Sequence, residues 1–166
     1  MTAAAHPRPA IWRRAVAVVA LAVVAGATHV GVTAAPAEAA DSPRDIILRM
    51  TNNYRENHDR NPVRTRAGAQ EVATDWSKTM RRTRTLRHNP DYAELMPGNW
   101  TRVAENVGYA CGHGNRRAAA RAIVNAWKKS PDHARNMRGN YWRIGIGFAY
   151  DKNTDCAWAT QNFIKY

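Results

Sequence analysis

The segment Val103-Ala104-Glu105-Asn106-Val107-Gly108-Tyr109 sets a carboxylate and an amide inside an otherwise apolar run. A carboxylate taken out of water needs a partner or a pocket, so Glu105 is a candidate for acid–base or ligand chemistry. The string Ser130-Pro131-Asp132-His133 reads as the start of a helical turn, with Ser as the cap and Pro in the first turn. His133 then falls in that first turn, where the positive end of the dipole favours neutral imidazole, the form that ligates a metal or acts as a base. His88 closes a basic stretch just before Asn89-Pro90. A plainer reading stands beside this one: Glu105 accepting backbone amides, Asn106 pinning a turn, and the two histidines bracing the layers.

Periodicity supplies the elements that must hold these groups. Ser42-Pro43-Arg44-Asp45 is a helix start, followed by Ile47, Met50 and Tyr54 at helical spacing and stopped by Asn61-Pro62. A second helix follows Gly68, with Ala69, Val72, Ala73, Trp76 and Met80 as its apolar stripe and Arg81, Arg82 and Arg84 at its end. That basic cluster is either a solvated face or an anion site. Leu86 to Arg102 reads as loop, Val103 to Ala110 as a short strand, and Asn115 to Lys129 as an Ala-rich helix. Trp142, Ile144, Ile146, Phe148 and Tyr150 alternate with small residues, which predicts a strand with one bulky and one nearly bare face. Asp151 to Asp155 is a polar turn and Ala157 to Ile164 the return strand. Helices before and between strands that end in a hairpin predict an α+β fold, an antiparallel sheet covered by helices.

The chain has 166 residues and a formal net charge of +12. Its 45% hydrophobic content is too high for a disordered polyelectrolyte. The basic excess points to anionic partners: nucleic acid, membrane or cell-wall polymer. Arg8, Arg13 and Arg14, the apolar run from Ala15 to Ala27, and Ala37-Glu38-Ala39 form the pattern of a secretory signal peptide over residues 1–39. A membrane anchor is the competing reading, and Trp12-Arg13-Arg14-Ala15-Val16 leaves Sec and twin-arginine export both open. A cut after Ala39 removes three Arg and one Glu and takes the charge from +12 to +10, so the basic character belongs to residues 40–166. Export would place Cys111 and Cys156, the two cysteines, in an oxidising compartment where they pair; two separate buried thiols are the alternative. No GxSxG or HExxH string supports covalent or zincin catalysis, and no DNA- or RNA-binding motif accompanies the charge.

Five motifs in order carry a resemblance. Leu86-Arg87-His88-Asn89, Ala104-Glu105-Asn106-Val107, Ala126-Trp127-Lys128-Lys129-Ser130-Pro131-Asp132-His133-Ala134-Arg135-Asn136-Met137, Ile144-Gly145-Ile146-Gly147 and Trp158-Ala159-Thr160-Gln161-Asn162-Phe163 resemble the CAP superfamily. This is the family of cysteine-rich secretory, antigen 5 and pathogenesis-related type 1 proteins, also called the SCP domain. The bacterial secreted branch is the most similar, with its W-x-x-S-P-x-H-R-x-N-I motif. The match runs over about residues 42 to 166. It implies a three-layer α-β-α sandwich with a mainly antiparallel central sheet. It also implies a surface cleft of His and Glu able to hold zinc or another divalent cation, with no organic cofactor. His88, Glu105 and His133 fall on motif positions and are the candidate metal ligands, a set that suits zinc and leaves room for water. Two family positions depart: Ser130 stands where animal and plant members have Glu, and Trp158 where they have His.

The resemblance implies a secreted, extracellular binding module without a transmembrane anchor after signal cleavage. Its expected partners are an anionic envelope component, a lipid or sterol, or a protein. Tyr92, Trp100, Tyr109 and Trp142 lie near the motifs, whereas core packing is the favoured role for Trp76, Trp127 and Trp142. The alternative is a metal-assisted hydrolase with Glu105 as general base. Any nucleic-acid binding would be non-specific and lost steeply with salt.

Overall fold

The structure is a computed structural model that describes residues 41–166. The signal-peptide expectation, residues 1–39, lies outside the described residues. Four strands form one sheet in the order β1-β3-β4-β2: β1 Arg64–Thr65, β2 Arg102–Cys111, β3 Arg143–Asp151 and β4 Cys156–Lys165. Helix α2, Ala67–Thr83, covers one face. Helices α1, Pro43–Glu56, α3, Arg116–Lys129, and α4, Pro131–Met137, lie on the other. The three-layer expectation holds. The sheet is mixed rather than wholly antiparallel, because β1 pairs with β3 in parallel. That two-residue strand carries no alternation to read, and it exists because the Trp142 and Ile144 carbonyls accept the amides of Arg64 and Arg66.

The helix starts follow capping chemistry. At α1 the Ser42 hydroxyl accepts the Asp45 amide and Asp45 accepts the Ser42 amide, a complete capping box. At α3 the Asn115 side chain accepts the amides of Arg117 and Ala118. Ser130, expected as the cap of α4, makes no side-chain cap bond; only its backbone joins the two helices. Helix α2 begins at Ala67 rather than after Gly68, and Gly68 sits in its first turn, where an added Cβ would lie 3.2 Å from the Pro97 ring.

The buried face of α1 differs from the expected stripe. Ile46, Ile47, Thr51 and Arg55 are buried, while Met50 and Tyr54 are only partly so. The reason is the backbone beneath. The Arg55 guanidinium, 1% exposed, donates to the carbonyls of Asn61, Met137, Gly139 and Tyr141, which no strand satisfies. Burial pushes this guanidinium below its ordinary value. Trp142, placed in the core by the sequence reading, is half exposed. It precedes the strand, and Tyr141 fills the inward position instead. Trp127 is buried as expected.

The bare face of β3 is real. A Cβ on Gly145 or Gly147 would overlap the Ala69 and Ala73 carbonyls of α2, so backbone touches backbone there. Gly108 of β2 faces α3, and its added Cβ would meet the Ile123 and Trp127 side chains. The far end of the sheet is closed by the Cys111–Cys156 disulfide, whose residues are directly paired across β2 and β4. By chain entropy a loop of this length, 45 residues of separation, is worth about 4 kcal/mol.

Two glycines with different neighbours give a direct test. Gly147→Ala should destabilise by about 3 kcal/mol, because a helix backbone must move. Gly108→Ala should cost less, since the atoms its Cβ meets belong to side chains rather than to backbone. Urea midpoints with unchanged slope would read both; equal losses would mean that α2 is not held against the sheet by backbone contact.

Candidate functional site

Strand β2 lies at the edge of the sheet, with β4 as its only strand partner among the described residues. Successive residues on a strand point to opposite faces, so Glu105 and Asn106 serve different layers from one position on that edge.

Glu105 faces the α2 side. Its side chain is 1% exposed, and Oε1 accepts the Asn89 amide at 2.9 Å and bonds His88 Nδ1 at 2.8 Å. His88 is the exposed partner, its side chain 60% accessible. This arrangement assigns the proton to Nδ1 of His88 and leaves Nε2 toward solvent as a lone-pair donor. Burial pushes the Glu105 carboxyl above its ordinary range, and the Asn89 amide and His88 pull it partway back. Glu105 Oε2 is buried without a hydrogen-bond partner. The cross-strand neighbour Asn162 is likewise buried with both side-chain polar atoms unpaired.

The loop that presents His88 is anchored to α2. The Trp76 indole N–H donates to the Arg87 carbonyl at 2.9 Å, and the Arg87 guanidinium stands 5.2 Å from the centroid of that ring. Asn89 is buried, and its side chain accepts the Asp91 amide to close a turn. Further along, Tyr166 donates its hydroxyl to the Pro97 carbonyl.

Asn106 faces the α4 side and is fully buried. It pins a helix, not a turn. Its Nδ2 donates to the His133 carbonyl and to Gln161 Oε1, and its Oδ1 accepts from Asn136 Nδ2. Asn136 also donates to the Glu105 carbonyl. Gln161 passes the chain on to the Thr51 hydroxyl of α1. The amides thus fix α4, and with it His133, against the same edge that carries Glu105.

His133 is partly buried, and burial holds its imidazole below its ordinary value; protonation of His88 would lower it further, while Asp132 offsets part of this. The depressed value favours the neutral ring expected from its place in α4. Among the described residues, no three His, Cys, Asp or Glu side chains converge as a metal-ligand group. What the structure brings together is the His88–Glu105 pair; His133 is tied to the same strand through its carbonyl, which accepts from Asn106, and no hydrogen bond among the described residues joins its ring to that pair. Asn89, Asn136 and Gln161 are the supporting residues that the sequence reading did not single out; polar residues inside quoted motifs were their only signal. Of the two departing positions, Ser130 sits at the α3–α4 junction, and Trp158 is buried beside Val107, Met80 and Cys156. Its ring lies tilted against Tyr109 at 5.1 Å between centroids and is 3% exposed, so a histidine there would belong to the core of this chain.

Comparison with known proteins agrees with this fold. No curated protein sequence matches the chain. An extracellular protein containing a SCP domain from Bacillus anthracis is 24% identical with a TM-score of 0.60, over 75% of this chain and 40% of its own. The chain thus spans about two fifths of that protein. An outer surface protein from Borrelia burgdorferi has a TM-score of 0.63 at 15% identity, over 74% of this chain and 92% of its own. NaASP2, solved with Zn2+, has a TM-score of 0.55 at 12% identity, over 73% and 78%. The model of the cysteine-rich secretory protein family matches residues 48–163, from the middle of α1 nearly to the end of β4. The chain is a member of that CAP family.

Proposed function

We propose that this protein is an exported binding module of the cell envelope. Its cleft is organised by Glu105 holding His88 opposite His133. The observation that carries the reading is the 2.8 Å bond between a buried carboxylate and an exposed imidazole. A carboxylate in that position fixes the ring's tautomer and raises the basicity of the free nitrogen. His88 and His133 would be the protein ligands of a divalent cation such as zinc, with Glu105 as the positioning group. When bound, such a cation supplies a Lewis-acidic point for an anionic or carbonyl-bearing ligand. The zinc in the NaASP2 structure supports the choice of metal, and the extracellular Bacillus protein and the outer surface protein of Borrelia support export. No helix among the described residues is long and apolar enough to cross a membrane.

The binding reading is preferred over hydrolysis because Glu105 is out of reach. Its Oε1 is committed to His88 and the Asn89 amide, and its side chain is 1% exposed. A general base must lie within hydrogen-bond distance of the water it activates. The basic surface favours an anionic or amphiphilic envelope component, and the family resemblance adds a lipid, sterol or protein as the ligand class.

Three measurements test this. Retention on purified cell wall or anionic vesicles should occur at low salt and fall as salt rises; no retention on either sinks the envelope assignment. Zinc titration by calorimetry should show one site in the native protein, with Glu105→Gln weakening it about 10–100-fold. Zinc affinity unchanged in that variant would remove Glu105 from the site. The third concerns pH. The folded His133 value is depressed, so its contribution to stability is present above the unfolded value near 6.5 and is lost as pH falls below it. Replacing His133 by Asn should flatten the decline in unfolding free energy below about pH 6.5. In His88→Gln the His133 titration, followed by NMR, should move up toward its ordinary value; no movement would place the two rings out of electrostatic contact.

A further inference from the structure

At the disulfide end of the sheet, away from Glu105, a cavity of about 710 Å³ opens between the starts of α1 and α3 and the end of β3. Three elements each send one cation to it: Arg44 from α1, Arg116 from α3 and Lys152 from the β3–β4 turn. None of the three pairs with a carboxylate among the described residues. No carboxylate among those residues lines the cavity. Asp155, close by, is occupied, accepting from the Tyr150 hydroxyl at 2.6 Å and the Gly114 amide at 2.7 Å. The caps of α1 and α3 are satisfied by their own Ser42–Asp45 box and Asn115 side chain, so the attraction for an anion comes from side chains.

The apolar part of the lining comes from few residues. Pro43, Phe148 and Tyr150 supply it, and both rings are only partly buried. An acyl chain needs a continuous apolar tunnel to bury its methylenes, which three residues do not make. Aromatic side chains beside cations suit a sugar ring, whose C–H bonds pack against them while an attached phosphate meets the cations.

Across the same hairpin lies a second basic hollow of about 450 Å³, lined by Lys78, Arg81, Arg82 and Arg84 with Asp151. Arg81 joins the two, donating to the Tyr150 carbonyl at 3.3 Å. Arg84 is held at φ 52°, the left-handed position that ends a helix and favours glycine.

We propose that the 710 Å³ cavity binds a phosphorylated sugar unit of an anionic glycan. The sugar lies on Phe148 and Tyr150, its phosphate meets Arg44, Arg116 and Lys152, and the next units pass over the Arg81–Arg84 hollow. This site is separate from the His88–Glu105 cleft, and the two readings fail independently.

The test is an amide-shift titration of the protein with glucose 6-phosphate, inorganic phosphate and phosphomannan. Glucose 6-phosphate should shift Gly114, Arg116, Tyr150 and Lys152 saturably and more tightly than inorganic phosphate. Arg116→Gln combined with Lys152→Gln should weaken it at least about tenfold. Phosphomannan should bind more tightly than the single unit, and Arg84→Gly should reduce phosphomannan binding alone. His88→Ala should change none of this. Several results overturn the proposal: no shift at those amides, equal affinity for inorganic phosphate, an unaffected double variant, or tighter binding of palmitate or a single-stranded oligonucleotide at the same residues. Phosphomannan no tighter than glucose 6-phosphate would overturn the polymer. Loss of binding in His88→Ala would move the ligand to the other cleft.

Discussion

The placement of α4 depends on one buried amide. Asn106 is fully inaccessible, and its side chain reaches α4 through His133 and Asn136 and, through Gln161, the Thr51 hydroxyl of α1. Thr51 in turn donates to the Ile47 carbonyl, so the chain ends in a satisfied group. Such a network is worth much when complete and costly when broken, because each orphaned partner keeps its desolvation penalty of about 1–3 kcal/mol. Helix α4 has seven residues, too few to be stable alone. Its place is set by tertiary bonds, and Asn106 supplies the central one. Strand alternation then puts Glu105 on the opposite face at no further cost. A one-residue slip of β2 would exchange the two and dismantle both halves of the site.

The second half rests on how closely α2 lies to the sheet. Gly145 and Gly147 on β3 oppose Ala69, Ala73 and Ser77, spaced four residues apart along the helix. Ser77 adds a bond to Thr160 of β4 at 2.9 Å. A helix seated on backbone has little freedom to slide, and it carries Trp76, which holds the Arg87 carbonyl and so the loop bearing His88. The buried Glu105 is the receiving end of that loop, through His88 and the Asn89 amide. The unpaired Glu105 Oε2 and the two unpaired Asn162 atoms lie on this same side. Buried polar groups of this kind are uncommon in cores.

Much of this is legible from residue order. Alternation along residues 143–151 showed both the strand and its bare face, and the Ser42–Asp45 box showed the start of α1. Glu105 stood out because it was polar in an apolar run. What escaped reading has a common cause. Arg55, Thr51, Asn136 and Gln161 are polar residues whose partners lie far along the chain, as with Arg55 Nη1 and the Met137 carbonyl 82 positions on. Periodicity reports apolar stripes, so on α1 it pointed to Met50 and Tyr54 and passed over Thr51 and Arg55, although Ile47, Thr51 and Arg55 keep perfect four-residue spacing. The strand β1 was hidden for a different reason: two residues have no pattern, and β3 alone defines them.

The charge of the chain is the last constraint, and the fold explains only a little of it. Arg55 is the one arginine buried among the described residues, and its guanidinium ties together four carbonyls. Among those residues, only Arg49, Lys78 and Arg135 of the Lys and Arg side chains pair with a carboxylate, all at exposed positions of little energetic weight. The remaining cations repel one another on the surface, which opposes compaction and contributes nothing to the core. They are not spread evenly: Arg44, Arg116 and Lys152 gather on one side of the β3–β4 hairpin, and Lys78, Arg81, Arg82 and Arg84 on the other. The end of the sheet that must tolerate this repulsion is also the end closed by the Cys111–Cys156 disulfide. A covalent closure there lets the sheet end carry a charge density that hydrogen bonds alone would hold less firmly. The hairpin can then present cations without fraying, while the amide-bonded edge around Glu105 keeps its own geometry.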